Sequence, residues 1–254
     1  MTLLITDNLM KNKHLLLIAV FSIISISSCK KDDTTTPEPT PQQSGINLTV
    51  DYSIDNTSLY TDSFLYTSAA GLNYSINRFQ YYLTSIKLIR PDNSEVTVAT
   101  NHYFDAFDAT TATISSPDVP AGNYIGVKFK IGVDSSLNYW DSLPVTVENT
   151  NMLWPLMMGG GYHFLKFEGY YKDAGNSYGY AMHLGTNACI IPITILKNIT
   201  ISSGSATSLN MHMNINEWLR NPNTFNFNTD GNYIMGDSTA MNKITQNGHD
   251  VFSF

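Results

Sequence analysis

Cysteine is scarce in this chain: 254 residues carry two, Cys29 and Cys189. A disulfide framework needs more, and so does a zinc site built from several thiolates. Charge is also thin, at 14% of residues with a formal net charge of −7, and Lys and Arg form no cluster. Binding a phosphate backbone requires such a cluster, which argues against a nucleic-acid partner. Motifs for common chemistries are missing too: there is no phosphate-binding glycine loop, no His-Glu-x-x-His, no Gly-x-Ser-x-Gly and no evident carboxylate pair. The apolar run from Leu15 to Ile26 has about a dozen residues, too few to cross a bilayer.

That run reads instead as the core of a signal peptide over residues 1–28. Lys11, Lys13 and His14 precede it, and Ser27, Ser28 and Cys29 end it. Ile26-Ser27-Ser28-Cys29 resembles a bacterial lipobox, in which the cysteine takes a lipid and becomes the first mature residue. Cys29 is then the expected lipid attachment point, and Cys189 is left without a partner in the chain. An ordinary secretion signal with a chance cysteine is the other reading. Lys30, Lys31, Asp32 and Asp33 resemble the short charged signal that sends some Bacteroidetes-type lipoproteins to the cell surface. Residues 29–45 form the expected tether: Pro37, Pro39 and Pro41 favour an extended chain, and nothing from Thr34 to Gly45 is apolar enough to bury. The expected location is an outer membrane, facing the periplasm or the outside.

What the rest of the chain has is aromatic residues and alternation. The 15 Tyr and 12 Phe favour strands. Ile46 to Tyr52 alternates apolar and polar positions, the mark of a half-buried strand. Tyr124 to Val133 does the same, with Lys128 and Lys130 on the polar face. Gly161–Gly169 and Tyr178–Leu184 read as strands joined by a hairpin turn at Lys172 to Asn176. Further strands are expected over Ile86–Arg90, around Val96 and Val98, over Tyr103–Phe107, Ile193–Ile201 and Leu209–Ile215. Phe79, Tyr82 and Leu83 fall at helical spacing, so Asn77–Ser85 is expected as a short helix. One helical turn is expected at Glu217 to Leu219, stopped by Pro222, and the apolar end Val251 to Phe254 is expected to dock on the core. Roughly nine strands and no long amphipathic helix read as an all-β fold, an antiparallel β-sandwich in one domain over residues 46–254.

The chemistry-bearing side chains gather in two stretches, Trp154 to Gly169 and His183 to Cys189. His183 shares its strand face with Gly179, Ala181 and Gly185. Small neighbours leave room beside an imidazole, which suits a ligand or a metal; a histidine bonded to a carbonyl under a loop is the alternative. His163 shares its face with Leu165 and Phe167, as a partly buried core histidine would. It also begins a strand next to Gly159, Gly160 and Gly161, where sites tend to form. Trp154 is a poor metal ligand by itself and reads as a packing aromatic. Met157 and Met158 either fill gaps or offer thioethers to Cu(I). His212 reads as solvent-facing. Asp105 and Asp108 lack the ligand spacing of a calcium loop.

Four groups of residues, in order along the chain, resemble one family. They are Arg78 to Ser85; Val119 to Tyr124 with Phe129 to Asp134; Met152, Leu153 and Trp154 with Gly161, Tyr162 and Lys166 to Glu168; and His183 to Cys189. Together they are similar to the methanobactin-associated copper-binding proteins, the MbnP-like domain, common as lipoproteins in Bacteroidetes. The resemblance implies a β-sandwich that holds one copper ion through His and catalyses nothing itself. It also implies that His183 is a ligand. In some members a Trp is oxidised to kynurenine by a dihaem peroxidase-like partner and the product contributes to the copper site; Trp154 is the matching position, which puts it in the expected metal set. His163 joins the expected metal set by its position alone. Where the family often has a second Trp, this chain has Leu156 after Pro155. A β-sandwich lipoprotein that binds a glycan, a peptide or an envelope protein without metal is the alternative, supported by the many tyrosines and the missing second Trp.

Overall fold

Strand β4, Asn73–Ile89, runs seventeen residues through the middle of the larger of two sheets. The computed structural model describes residues 44–254, all within one compact unit. The expected signal peptide, Cys29 and nearly all of the tether lie outside the described residues. The tether does end earlier than expected, because Gly45 already pairs with Ala206 in β1, Gly45–Ile54.

The larger sheet follows the order β10-β7-β4-β8-β9, with β3 and β5 also on β4. Its strands are β3 (Tyr66–Thr67), β5 (Glu95–Asp105), β7 (Gly122–Ile131), β8 (Leu165–Asp173), β9 (Asn176–Leu184) and β10 (Ile191–Ile201). The smaller sheet has the order β12-β11-β1-β2, with β6 also on β1. It contains β2 (Thr57–Ser58), β6 (Thr113–Ser116), β11 (Ala206–Asn214) and β12 (Phe252–Ser253). The all-β sandwich is as expected, with one parallel pair among the strands named above, β1 with β11. The core lies between the sheets and is strongly aromatic. Tyr81 stacks on Phe104 with ring centroids 5.0 Å apart, and Phe79 meets Phe167 edge-on at 5.2 Å. Offset and edge-on pairs of this kind add about 0.5–1.5 kcal/mol beyond the area they bury.

The expected helix over Asn77–Ser85 is instead part of β4. Its inward residues are Tyr74, Ile76, Phe79, Tyr81, Leu83, Ile86 and Leu88, all buried. The pairing register slips between Ile76 and Arg78, and again near Ser85, which adopts a left-handed φ of 54°. Each β-bulge inserts one residue, so a spacing of two becomes three. The helical spacing of Phe79, Tyr82 and Leu83 has another source, because these residues lie between the two slips and are buried on opposite faces of the strand. Tyr82, on the opposite face, is buried as well, and its hydroxyl donates to Asn149 at 2.5 Å.

The hairpin between β8 and β9 forms as expected, with Asp173 opposite Asn176 and left-handed φ values at Ala174 and Gly175. Two helices are present among the described residues, α1 (Val147–Asn151) and α2 (Ser238–Asn247). The helical turn expected at Glu217 to Leu219 forms as a 3-10 turn over Ile215–Leu219, whereas α2 lies in the tail, where no helix was expected. Asp237 caps it by accepting from the Thr239 and Ala240 amides, and Ala240, Met241 and Ile244 form its buried stripe. Asn247 closes the tail, donating to the carbonyls of Trp218 and Asn223 at 2.9 and 2.8 Å from a fully buried position. Residues 232–234 lie along the outer edge of β9. There Ala181 donates to the Asn232 carbonyl at 2.7 Å, and Ile234 donates back to the Ala181 carbonyl at 3.2 Å.

The apolar terminus docks as expected. Phe252 packs edge-on against Phe129 at 5.1 Å and tilted on Tyr81 at 6.3 Å. Phe252→Ala is therefore expected to destabilise the domain by about 3 kcal/mol, the usual cost of truncating a core Phe, read as a lower urea midpoint.

Candidate metal centre

The site begins with the backbone between Met152 and Phe164. Leu153 bridges to Tyr162, and the Trp154 amide donates to the Gly161 carbonyl at 2.9 Å. The residues between them form a closed loop. Gly159, Gly160 and Gly161 take φ values of 105°, 69° and 87° in it, conformations that residues with a Cβ rarely adopt. A side chain at Gly161 would also strike the Asn138 amide, which accepts from the Tyr162 N–H at 3.0 Å. The expected strand Gly161–Gly169 consequently starts only at Leu165. Its first residues are spent tucking His163 beneath Met152.

Trp154 is 1% exposed, and its indole N–H donates to the Met158 carbonyl at 3.2 Å. The ring lies flat against Gly185, where any Cβ would enter the indole. The small residue after His183-Leu184 is thus what lets the tryptophan approach. On its other side Trp154 meets His163, centroid to centroid at 4.8 Å and 64°. His163 in turn meets His183 at 4.9 Å and 88°. Three rings that the sequence singled out therefore converge across the face of the larger sheet.

The hydrogen bonds settle the tautomers. His163 Nδ1 lies 3.2 Å from the Met152 carbonyl, which can only accept, so the proton sits on Nδ1 and the lone pair on Nε2. Burial is the main reason that His163 is hard to protonate. With the nearby charges of Lys166 and His183 it brings the pKa down to about 3, against the pull of the Met152 and Leu153 carbonyls. His183 Nε2 lies 2.8 Å from Glu168 Oε1, which directs the Nδ1 lone pair of a neutral His183 away from the carboxylate. One Arg78 guanidinium nitrogen donates to both oxygens of the same carboxylate, at 3.0 and 2.8 Å. Burial alone would raise the Glu168 pKa; the bonds from His183 and Arg78 outweigh it and hold the group at about 2.

Glu168 and Arg78 were not singled out as site residues from the sequence. A signal was present, because both belong to stretches with family resemblance, but pairing Arg78 with Glu168 requires the β4–β8 register. Met157 and Met158 do not fill the core. Met157 is fully exposed, and Met158 lines a cavity of about 180 Å³ beside Trp154, Cys189 and Met241. His212 is only partly exposed. It bonds to Asp51 and lies 2.9 Å from the Ser53 hydroxyl, a Ser-His-Asp chain on the paired strands β1 and β11. That hydroxyl donates to the Asp55 carbonyl at 2.8 Å, so its proton is not offered to the imidazole, and the chain reads as a structural network. Asp105 holds Gln80, and Asp108 caps the 3-10 turn Ala109–Thr111. Among the described residues no group of three or more His, Cys, Asp or Glu is placed to hold a metal ion.

The architecture defines a two-sheet β-sandwich with a paired-imidazole site under a glycine loop. Residues 43–238 match the family model described as MbnP, and the chain belongs to the MbnP family. It is also similar to the solved structure of MbnP from Methylosinus trichosporium, with a TM-score of 0.48 and 11% identity, covering 67% of this chain and 75% of that one. Among curated proteins no sequence match is found.

Because the native His163 takes up a proton only near pH 3, while an unfolded histidine does so near 6.5, acid favours the unfolded chain. Its contribution is complete above about pH 6.5 and shrinks as the pH falls toward 3, by up to about 1.4 kcal/mol per unit. The urea midpoint should therefore drop between pH 7 and pH 5. His163→Gln should flatten that drop; an unchanged slope would place the acid sensitivity elsewhere.

Proposed function

We propose that the chain is an envelope lipoprotein that binds one copper ion through His163 and His183 and performs no catalysis of its own. The observation that carries this reading is the convergence of two imidazoles at 4.9 Å, each tied through one nitrogen to a protein oxygen. A metal-binding histidine usually donates its second N–H to a carbonyl or carboxylate, which fixes the ring and raises its basicity. Two imidazoles fit copper held by few protein ligands, and imidazole is a normal copper donor. His163 meets the need for a neutral ring throughout the physiological range. Glu168 and Arg78 have the positioning role: they hold His183 in its tautomer and orientation.

Trp154 stands next to His163, ring centroids 4.8 Å apart. In this reading it is the residue that a dihaem peroxidase-like partner would oxidise, and mass spectrometry of natively expressed protein checks that. Leu156, where the second family Trp would stand, is exposed. It therefore takes nothing from the packing of the imidazole pair. The lipobox-like Ile26-Ser27-Ser28-Cys29 supports a lipid anchor on Cys29 in an outer membrane.

Copper titration into the purified chain should saturate at one equivalent, and His183→Ala should abolish that equivalent. Glu168→Gln should keep the stoichiometry but weaken affinity about 10- to 100-fold, the usual effect of losing a partner that orients a ligand. Equal stoichiometry in wild type and His183→Ala would sink the assignment.

A further inference from the structure

The small residues beside His183 leave a hollow on the outer face of the larger sheet, and tyrosines wall it. Its volume is about 220 Å³, and Asn77, Glu168, Tyr170, Gly179, Ala181 and Tyr233 line it. The β8–β9 register explains the shape. Tyr170 stands opposite Gly179 and Glu168 opposite Ala181, so two large side chains on one strand face two nearly absent ones on the next. Tyr233 comes from residues 232–234, clamped along the edge of β9. Its hydroxyl reaches over Gly179, where a Cβ would meet it at 2.7 Å. Tyr170 and Tyr233 are both substantially exposed, although tyrosines elsewhere in this protein are mostly core residues.

The polar groups say what kind of molecule fits. Glu168 is already paired with the Arg78 guanidinium, so the hollow offers no net charge to a cation. Arg78 is likewise committed to Glu168, which leaves little to attract an anion. A carboxylate has about four lone-pair positions and can still accept from a hydroxyl. The Asn77 amide nitrogen is bonded to Asp62, and its carbonyl oxygen keeps its capacity to accept. Two exposed rings, a bare backbone floor and acceptors without net charge suit a neutral molecule with one apolar C–H face and many hydroxyls. An apolar cavity of about 150 Å³ takes one benzene; the larger hollow here is the size for one sugar ring.

We propose that this hollow is a binding site for a neutral pyranose unit of a glycan, stacked on Tyr170 and Tyr233 and hydrogen-bonded to Glu168 and Asn77. The site is separate from the copper reading and does not rest on it, although Glu168 belongs to both. The test uses the whole chain, purified in a detergent without a sugar headgroup. Saturation-transfer NMR is run against cellotriose, maltotriose, mannotriose, chitotriose and laminaritriose. At least one should bind, with Kd about 1 mM or tighter. Tyr233→Ala and Tyr170→Ala should each weaken it at least about tenfold. Both tyrosines are exposed, so both variants should keep the wild-type melting temperature, and each should bind copper as wild type does. Absence of binding by all five trisaccharides, or binding untouched by both substitutions, overturns the proposal. The copper titration reads independently, so loss of one result leaves the other standing.

Discussion

The constraint on which the molecule depends is that β4 must be paired along both edges while its inward residues stay buried in the core. Seventeen residues cannot do this as a regular ribbon while meeting so many neighbours. Tyr82 marks where one neighbour hands over to the next: its amide donates to Phe164 at 3.2 Å, and its carbonyl accepts from Gly132 at 2.8 Å. Strands β8 and β7 therefore lie end to end along one edge, with the bulges of β4 turning it to suit each. An extra residue in a strand sharpens its local twist, and here the changed direction brings β8 and β9 beneath the glycine loop. The imidazole pair sits at that junction.

Within the site, close approach replaces bulk. Trp154 can lie over Gly185 only because nothing projects from that position, and the loop around it closes only because three successive residues lack a Cβ. The tryptophan then forms one wall for His163, and burial keeps that ring neutral. The second ring is governed differently, through a carboxylate that one arginine nitrogen holds by both oxygens. Two histidines less than 5 Å apart are thus set by unlike means, one by exclusion of water and one by a charged bracket.

Much of this was legible before any coordinates. Period-two stretches gave β1, β7, β9 and β10 within a few residues, and the turn Lys172–Asn176 was recognisable from its Gly and Asn. The small neighbours of His183 pointed to space beside it, and that space admits the Trp154 ring over Gly185 and the Tyr233 hydroxyl over Gly179. Asn77–Ser85 reads as a helix because Phe79 and Leu83 face the core while Tyr82 is buried on the opposite face, and burial on both faces erases the apolar–polar alternation. Helix α2 was hidden by composition: Thr, Asn and Gln fill it, and its apolar stripe is only Ala240, Met241 and Ile244. Glu168 and Arg78 could not be joined because their contact spans ninety positions and depends on strand register. His163 and His183 were marked for separate reasons, and only folding shows them facing each other.

The strip at 232–234 has one more effect. A sheet that ends in a free strand carries a row of open amides and carbonyls able to recruit a copy of itself. On β9 that row is partly consumed: Ala181 and the Gly179 carbonyl are already bonded to Asn232 and Ile234. At the far side, β10 is interrupted by a register slip between Leu196 and Ile199, next to Lys197. The two flanks are thus blunted by unrelated devices, a bound ribbon and a kink. Neighbouring molecules crowded at a surface would find no continuous rail on either flank along which to zip together.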